Sequence, residues 1–328
     1  MPTCDKSVIV NGIRKSFGDV TALHDITFDV VRGEVISLLG PNGAGKTTIV
    51  HILSTLTRPD LGRAWVAGHD VVSEPGRVRR SIMLTSQQVA LDNMLTGRQN
   101  LVMVGRLQGL TKSESRTRAT TLVRDFGLAD AADRRVETYS GGMRRRIDLA
   151  CGLIVRPEVA FLDEPTTGLD PRSRQSVWDL IRRFKSAGIT TVLTTQYLEE
   201  ADALSDRIIV IDRGTIIAEG TNDELKRRAG SGYCEIVPQD RRDLPAIADA
   251  LGSLLPESDK AAPTMTSDRI AFPAPDGVAT VAEALRRLDA AKIRFADIAL
   301  RRPSLDDVFF ALTKESAKTN LPTAGMTS

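Results

Sequence analysis

Aromatic residues are scarce, at 4% of 328 positions, too few for a surface that stacks nucleobases one after another. Charge of one sign is missing as well. Lys plus Arg number 44 against 42 Asp plus Glu, a net charge of +2, which leaves no electrostatic case for nucleic acid as the main partner. Cysteines are few: Cys4, Cys151 and Cys234 lie far apart, odd in number and in no C-x-x-C pair. They point to free thiols in a reducing cytosol and away from a disulfide framework or a metal cage. Long apolar runs are absent too. The longest, such as ISLL and RIIVI, are strand-sized, well short of the ~20 residues that span a bilayer. The opening MPTCDKSV carries no charged-then-apolar leader. The expectation is a chain that does not cross a membrane by itself.

What is present is the composition of an ordinary globular protein, 41% hydrophobic and 26% charged. The length suits two domains, or one large domain with an appendage. Residues 8–30 alternate as strands around a turn at Gly18-Asp19, and GRAWVAG and SIMLTSQ read as further strands. EVISLLG, EVAFLDEP and TTVLTTQ are short apolar or β-branched runs, so buried strands. Helical patterns fill 47–56, 97–127 with a break near Gly109, 140–155, 173–188 and 198–204. RIIVIDRGTIIAEG reads as a hairpin over Asp212-Arg213-Gly214, and Thr221-x-x-Glu224 as a capping box. Strands alternating with helices imply an α/β fold with a parallel sheet covered on both faces, and the β-rich start adds an antiparallel layer. Gly230-Ser231-Gly232 marks a boundary. The expected domains are 1–230, a small α+β domain over 231–316, and a polar, disordered tail at 317–328. The small domain reads as YCEIVP, a helix near 243–255, DRIAFPA, VATVAEALRRLDAAK, FADIALRR and a helix capped by Ser304-x-x-Asp307.

Three motifs carry chemistry. GPNGAGKT (Gly40, Pro41, Asn42, Gly43, Ala44, Gly45, Lys46, Thr47), followed by Thr48, fits G-x-x-x-x-G-K-[ST] between a strand and a helix. Its glycines let successive N–H groups converge on phosphate oxygens, and the helix start adds its positive end. Lys46 reaches the β- and γ-phosphates, and the Thr47 hydroxyl suits Mg²⁺. The alternative is an accidental glycine-rich turn. In VAFLDEP, Asp163 and Glu164 stand just past a buried strand. Beside a P-loop the first holds Mg²⁺ and the second orients and deprotonates water; alone they would read as solvent-facing acids. In YSGGMRRRIDLA, Ser140, Gly141 and Gly142 open a helix whose N–H groups and serine hydroxyl form an anion site. The plainer reading is an N-cap, and the run Arg144–Arg146 reads as a solvated helix face.

P-loop, SGG helix, LDEP and then GLD (Gly168 to Asp170), in that order, resemble the ATP-binding subunit of ABC transporters over residues 8–228. The resemblance implies a P-loop ATPase of ABC type: mixed sheet core, antiparallel β layer, helical signature subdomain. It implies that Phe17 stacks on adenine, against a core aromatic as the alternative. It gives Gln87 a contact with Mg²⁺ and with a membrane partner, Gln88 being the rival, and it gives Asp170 a role in communication across a dimer. YSGGMRRRIDLA, LTTQYLEEADALSDRI and RRPSLDDVFFALT narrow the resemblance to the daunorubicin-resistance (DrrA) type of drug and lipid exporter ATPase. In that group the ATPase and its membrane subunit are separate chains.

Where the wider family has a histidine after the strand TTVLTT, this chain has Gln196. A glutamine amide donates to a phosphate oxygen but relays no proton near neutral pH. Gln196 therefore reads as a γ-phosphate sensor, with acid–base work left to Glu164; the alternative is a cap for the next helix. Tyr139 and Met143 replace the Leu and Gln of the commoner LSGGQ, which should alter packing and spare ATP binding. The resemblance implies ATP and Mg²⁺ as cofactors, a second copy that closes an ATP sandwich, and a separate integral membrane permease. Nucleic acid has no place among the partners. It also implies a peripheral position on the cytoplasmic face of the cell membrane, exporting hydrophobic drugs, complex lipids or both. The rival function is a soluble ABC-type ATPase acting on ribosomes or DNA. The small domain is expected to stabilise the dimer or to regulate assembly.

Overall fold

Residues 8–30 form an antiparallel hairpin in the computed structural model, which describes residues 5–85, 91–228, 232–252, 264–265, 268–301 and Val308. Strand β1 (Lys6–Phe17) pairs with β2 (Val20–Val31) across Gly18 and Asp19. On its other side β1 pairs with β4 (Leu61–Val66), which pairs with the short β5 (His69–Asp70). This is the antiparallel layer expected from the sequence, in the order β2-β1-β4-β5.

The central sheet has the order β10-β9-β3-β8-β7-β6. Its parallel members are β3 (Val35–Leu39), β6 (Ile82–Thr85), β7 (Val159–Asp163), β8 (Thr190–Thr195) and β9 (Arg207–Asp212). β10 (Thr215–Gly220) turns back antiparallel on β9. β3, β7 and β8 are buried at every position, as strands covered on both faces must be. Among the described residues seven α-helices belong to this part: α1 (Lys46–Leu53), α2 (Pro75–Ser81), α3 (Gly97–Leu107), α4 (Lys112–Asp125), α5 (Gly141–Gly152), α6 (Pro171–Ser186) and α7 (Leu198–Leu204); α8 (Asn222–Arg228) follows them at the start of the second unit. The break between α3 and α4 has two causes. Gly109 is left-handed at φ 91, and Thr111 with Glu114 closes a capping box that starts α4.

The two-residue period of a strand sorts the sheet into two cores. In β7, Val159 and Phe161 pack with α1 and the antiparallel layer, while Ala160 and Leu162 pack among α3–α6. In β8, Val192 faces the first core and Leu193 the second. By the same parity Asp163 and Thr194 fall on the α1 side. That places the acidic strand end opposite the helix that follows the glycine loop.

Contacts divide the chain into Met1–Asn222 and Asp223–Ser328. In the second unit, β11 (Tyr233–Pro238), β12 (Thr264–Met265), β13 (Ile270–Pro273) and β14 (Phe295–Arg301) make an antiparallel sheet ordered β12-β13-β11-β14. Helices α9 (Leu244–Leu251) and α10 (Val278–Ala290) cover it, with Ile236, Ile247, Phe272, Ala284 and Leu288 in the core. The helix expected after Ser304 and the tail over 317–328 lie outside the described residues. No described helix is long and apolar enough to cross a membrane. Cys151 and Cys234 are buried free thiols.

Candidate active site

The loop Gly40–Thr47 leaves the end of β3 and enters α1. Two of its glycines are forced by packing. A Cβ at Gly40 would sit 2.1 Å from the Ile211 carbonyl oxygen, and one at Gly45, where φ is 103, would meet Leu23 Cδ2 at 2.6 Å. Gly45 is the N-cap of α1 and no side chain caps that helix, so the first N–H groups face the loop. The Lys46 ammonium is buried and donates to the carbonyls of Gly40 at 2.7 Å and Pro41 at 2.9 Å. Burial lowers its pKa, opposed by the carboxylates of Glu164 and Asp163. Asn42 through Thr48, with Ala22 and Glu164, line a cavity of about 280 Å³.

Asp163 pairs with Thr194 across β7 and β8. The Thr194 hydroxyl donates to Asp163 Oδ1 at 2.6 Å, and the Thr47 hydroxyl lies 3.1 Å from both carboxylate oxygens. A hydroxyl and a carboxylate converging next to a phosphate-sized cavity are the hard oxygen donors that suit Mg²⁺. Glu164 has φ 47, a left-handed conformation that disfavours a residue with a Cβ. Its N–H bonds both the carbonyl and the hydroxyl of Thr194, and its Oε1 stands 4.0 Å from Lys46 Nζ. Thr167 donates to Oε2 at 3.1 Å. The P-loop, Thr47, Asp163 and Glu164 thus occupy one place.

The SGG segment stands at a second place. Ser140 caps α5, its hydroxyl accepting from the Met143 N–H at 3.3 Å. A groove of about 400 Å³ runs past Gly141, Arg144, Arg145, Pro165 and Leu169, and Glu164 borders it as well. Asp170 caps α6 through Ser173, whose hydroxyl donates to it at 2.6 Å and holds its carboxyl below the usual range. Tyr139 is buried, donating to the Ala131 carbonyl at 2.6 Å. The arginine run is not a solvated face. Arg145 is 6% exposed and bonds Pro165 O, Asp163 O and Asp148. Arg146 donates to the carbonyls of Phe126 and Gly127, and Arg144 to Asn93 and Glu137. Backbone carbonyls at loop and strand ends, with the side chains of Asn93 and Asp148, take these guanidinium groups.

Gln196 follows the last residue of β8, whose carbonyl accepts from the Gly40 N–H at 3.3 Å. It is half-buried, and α7 has no side-chain cap, so the capping alternative has no bond to stand on. Phe17 ends β1 at 53% exposure with the Lys15 ammonium 5.3 Å from its ring centre; it is not a core aromatic. Gln87 and Gln88 lie outside the described residues. One acid escaped the sequence reading. Glu200 is fully buried on α7 and accepts from Thr166 at 2.7 Å and from the Trp178 indole at 3.0 Å. Burial raises its pKa. Its acidic neighbours in the sequence made it look like surface.

A family model described as ABC transporter matches residues 23–167. A doxorubicin resistance ATP-binding protein DrrA of Mycobacterium tuberculosis is 67% identical over 313 residues, 95% of this chain and 95% of that one. The daunorubicin/doxorubicin resistance ATP-binding protein DrrA of Streptomyces peucetius is 46% identical over 317 residues, covering 95% and 94%. Among solved structures, a dimeric post-hydrolysis state of an ATP-binding cassette bound to ADP and Pi superposes with a TM-score of 0.60 at 25% identity, over 65% of this chain and 98% of that one. The ordered motifs, the ABC-type layers and identity over nearly the whole length agree: the chain belongs to the ATP-binding proteins of ABC transporters, of the DrrA drug-resistance type, and is an ATPase.

Proposed function

We propose that this chain powers export of hydrophobic, anthracycline-like drugs, of complex lipids or of both, through a separate integral membrane permease. The observation that carries the ATPase chemistry is that Lys46, Thr47 and Glu164 line one cavity while the Thr47 hydroxyl reaches Asp163 behind it. The drug substrate rests on the names of the relatives. ATP lies with adenine on exposed Phe17 and its phosphates in the loop Gly40–Thr48, against the N–H groups that line its cavity. Lys46 exchanges its two carbonyls for phosphate oxygens. Thr47 and Asp163, with Gln87 by the family resemblance, would hold Mg²⁺, which would offset phosphate charge. Glu164 takes a proton from water as the water oxygen bonds the γ-phosphorus and the bond to the bridging oxygen of ADP breaks. Gln196 donates to a γ-phosphate oxygen, and Ser140, Gly141 and Gly142 of a second copy complete the site. Asp170 lies at that junction and relays between the two sites. Gln87 also faces the permease, which holds the chain on the cytoplasmic side of the cell membrane.

The test is a tagged pull-down from detergent-solubilised membranes of the native host, with mass spectrometry of what is retained. A polytopic membrane protein is expected in stoichiometric amount. Ribosomal or DNA-repair proteins without any membrane protein would replace the exporter by a soluble ATPase.

A further inference from the structure

Glu164 must hold a backbone conformation that its side chain resists. A left-handed conformation disfavours a non-glycine residue, and it persists only where the surroundings hold it. On its amide side β8 provides the hold, through the Thr194 carbonyl and hydroxyl. On either flank a single guanidinium does so. Arg145 Nη2 donates to the carbonyl of Asp163 at 3.2 Å, and Nε donates to that of Pro165 at 2.7 Å. Those two carbonyls bracket Glu164. The third arm, Nη1, donates to Asp148 Oδ2 at 3.3 Å, one turn along α5. Arg145 and Asp148 are both buried, so neither group is there to meet water.

We infer that Arg145 is a positioning residue for Glu164, a planar clamp that fixes the catalytic carboxylate at the mouth of its cavity, with Asp148 orienting the clamp. The inference rests on the role proposed for Glu164. A lysine could reach one carbonyl as a point charge but could not span both. The clamp begins on α5, one turn beyond Ser140–Gly142. It therefore ties the anion site of that helix to Glu164, which among the described residues alone borders both cavities.

The test is a double-mutant cycle on the full-length chain, with single-turnover hydrolysis of Mg-ATP and equilibrium binding of a fluorescent ATP analogue. Arg145→Lys should lower the hydrolysis rate at least about tenfold while leaving analogue affinity within about twofold, because the loss concerns geometry at the reacting centre. In a Glu164→Gln background the same change should cause no further loss, since the clamp acts only through that carboxylate. Asp148→Asn, which keeps shape and one acceptor oxygen, should give a smaller loss of the same kind, also absent in the Glu164→Gln background. Equal rates for Arg145→Lys and the parent, or losses that multiply with Glu164→Gln, would overturn the clamp. Should Arg145→Lys fail to fold, an Asp148→Asn rate equal to the parent's, or a multiplying loss there, overturns it instead. A Glu164→Gln chain that hydrolyses at the parental rate would instead remove the role of Glu164 itself.

Discussion

At the scale of single residues, Gln196 shows what a strand end can specify. Thr190 to Thr195 are all buried, and Thr194 and Thr195 are tied to Asp163, Glu164 and Gly40. The backbone that leads into Gln196 is thereby tied to Gly40 at the start of the phosphate loop. Gln196→Ala should slow hydrolysis by about a hundredfold to a thousandfold, the range for removing one aimed donor, and change ATP affinity much less. Steady-state kinetics beside equilibrium binding separates the two; an unchanged rate would end the sensor role. Some of this was legible in the sequence and some was not. Gly40, Gly45 and Lys46 were, because backbone geometry admits few residue types there. Arg145 was not. An arginine whose partners are carbonyls from another element has the same local pattern as one facing water. Its only written sign is Asp148 three residues on, on the face that also carries buried Gly142.

At the scale of elements, α5 and α6 meet where there is no room to spare. A Cβ on Gly142 would lie 2.4 Å from the Ser173 hydroxyl oxygen and 2.8 Å from Ser173 Cβ. Ser173 is also the partner through which Asp170 caps α6. Gly142→Ala should therefore destabilise the first unit by about 1–3 kcal/mol through overpacking, and hydrogen exchange should quicken at the first turn of α6. Adding Ser173→Gly should restore part of the stability while keeping the backbone cap bond to Asp170 and losing only the hydroxyl one. If the double variant unfolds more easily than Gly142→Ala, the contact is not the cause. The elements themselves were well read from periodicity: the hairpin at Gly18, the break at Gly109 and the central strands fall where the pattern placed them. The buried face of α5 was hidden because Arg145 and Asp148 interrupt its apolar stripe, so a count of hydrophobic positions sees a polar helix.

At the scale of the whole molecule, one chain presents the phosphate-loop cavity and the α5 groove as separate surfaces that, among the described residues, share only Glu164. A reaction that needs both calls for a second copy, as in the dimeric cassette bound to ADP and Pi. Glu164→Gln, which retains shape but cannot accept the proton from water, should hold two chains together in saturating Mg-ATP. Light scattering after gel filtration should give twice the chain mass with ATP and the single mass without it. A chain that remains monomeric with ATP bound would count against the sandwich.

Lys46 gives the empty loop an unexpected selectivity. Its ammonium is already satisfied by two carbonyls of the loop that it serves. Filling the loop is thus a displacement and not a simple addition: an anion must offer more than Gly40 and Pro41 already do. A triphosphate brings oxygens along the whole loop and a base for Phe17. Inorganic phosphate or sulfate brings one tetrahedron and nothing else. The two carbonyls thus set a threshold that a nucleotide, with many oxygens and a base, should clear more readily than a single small anion.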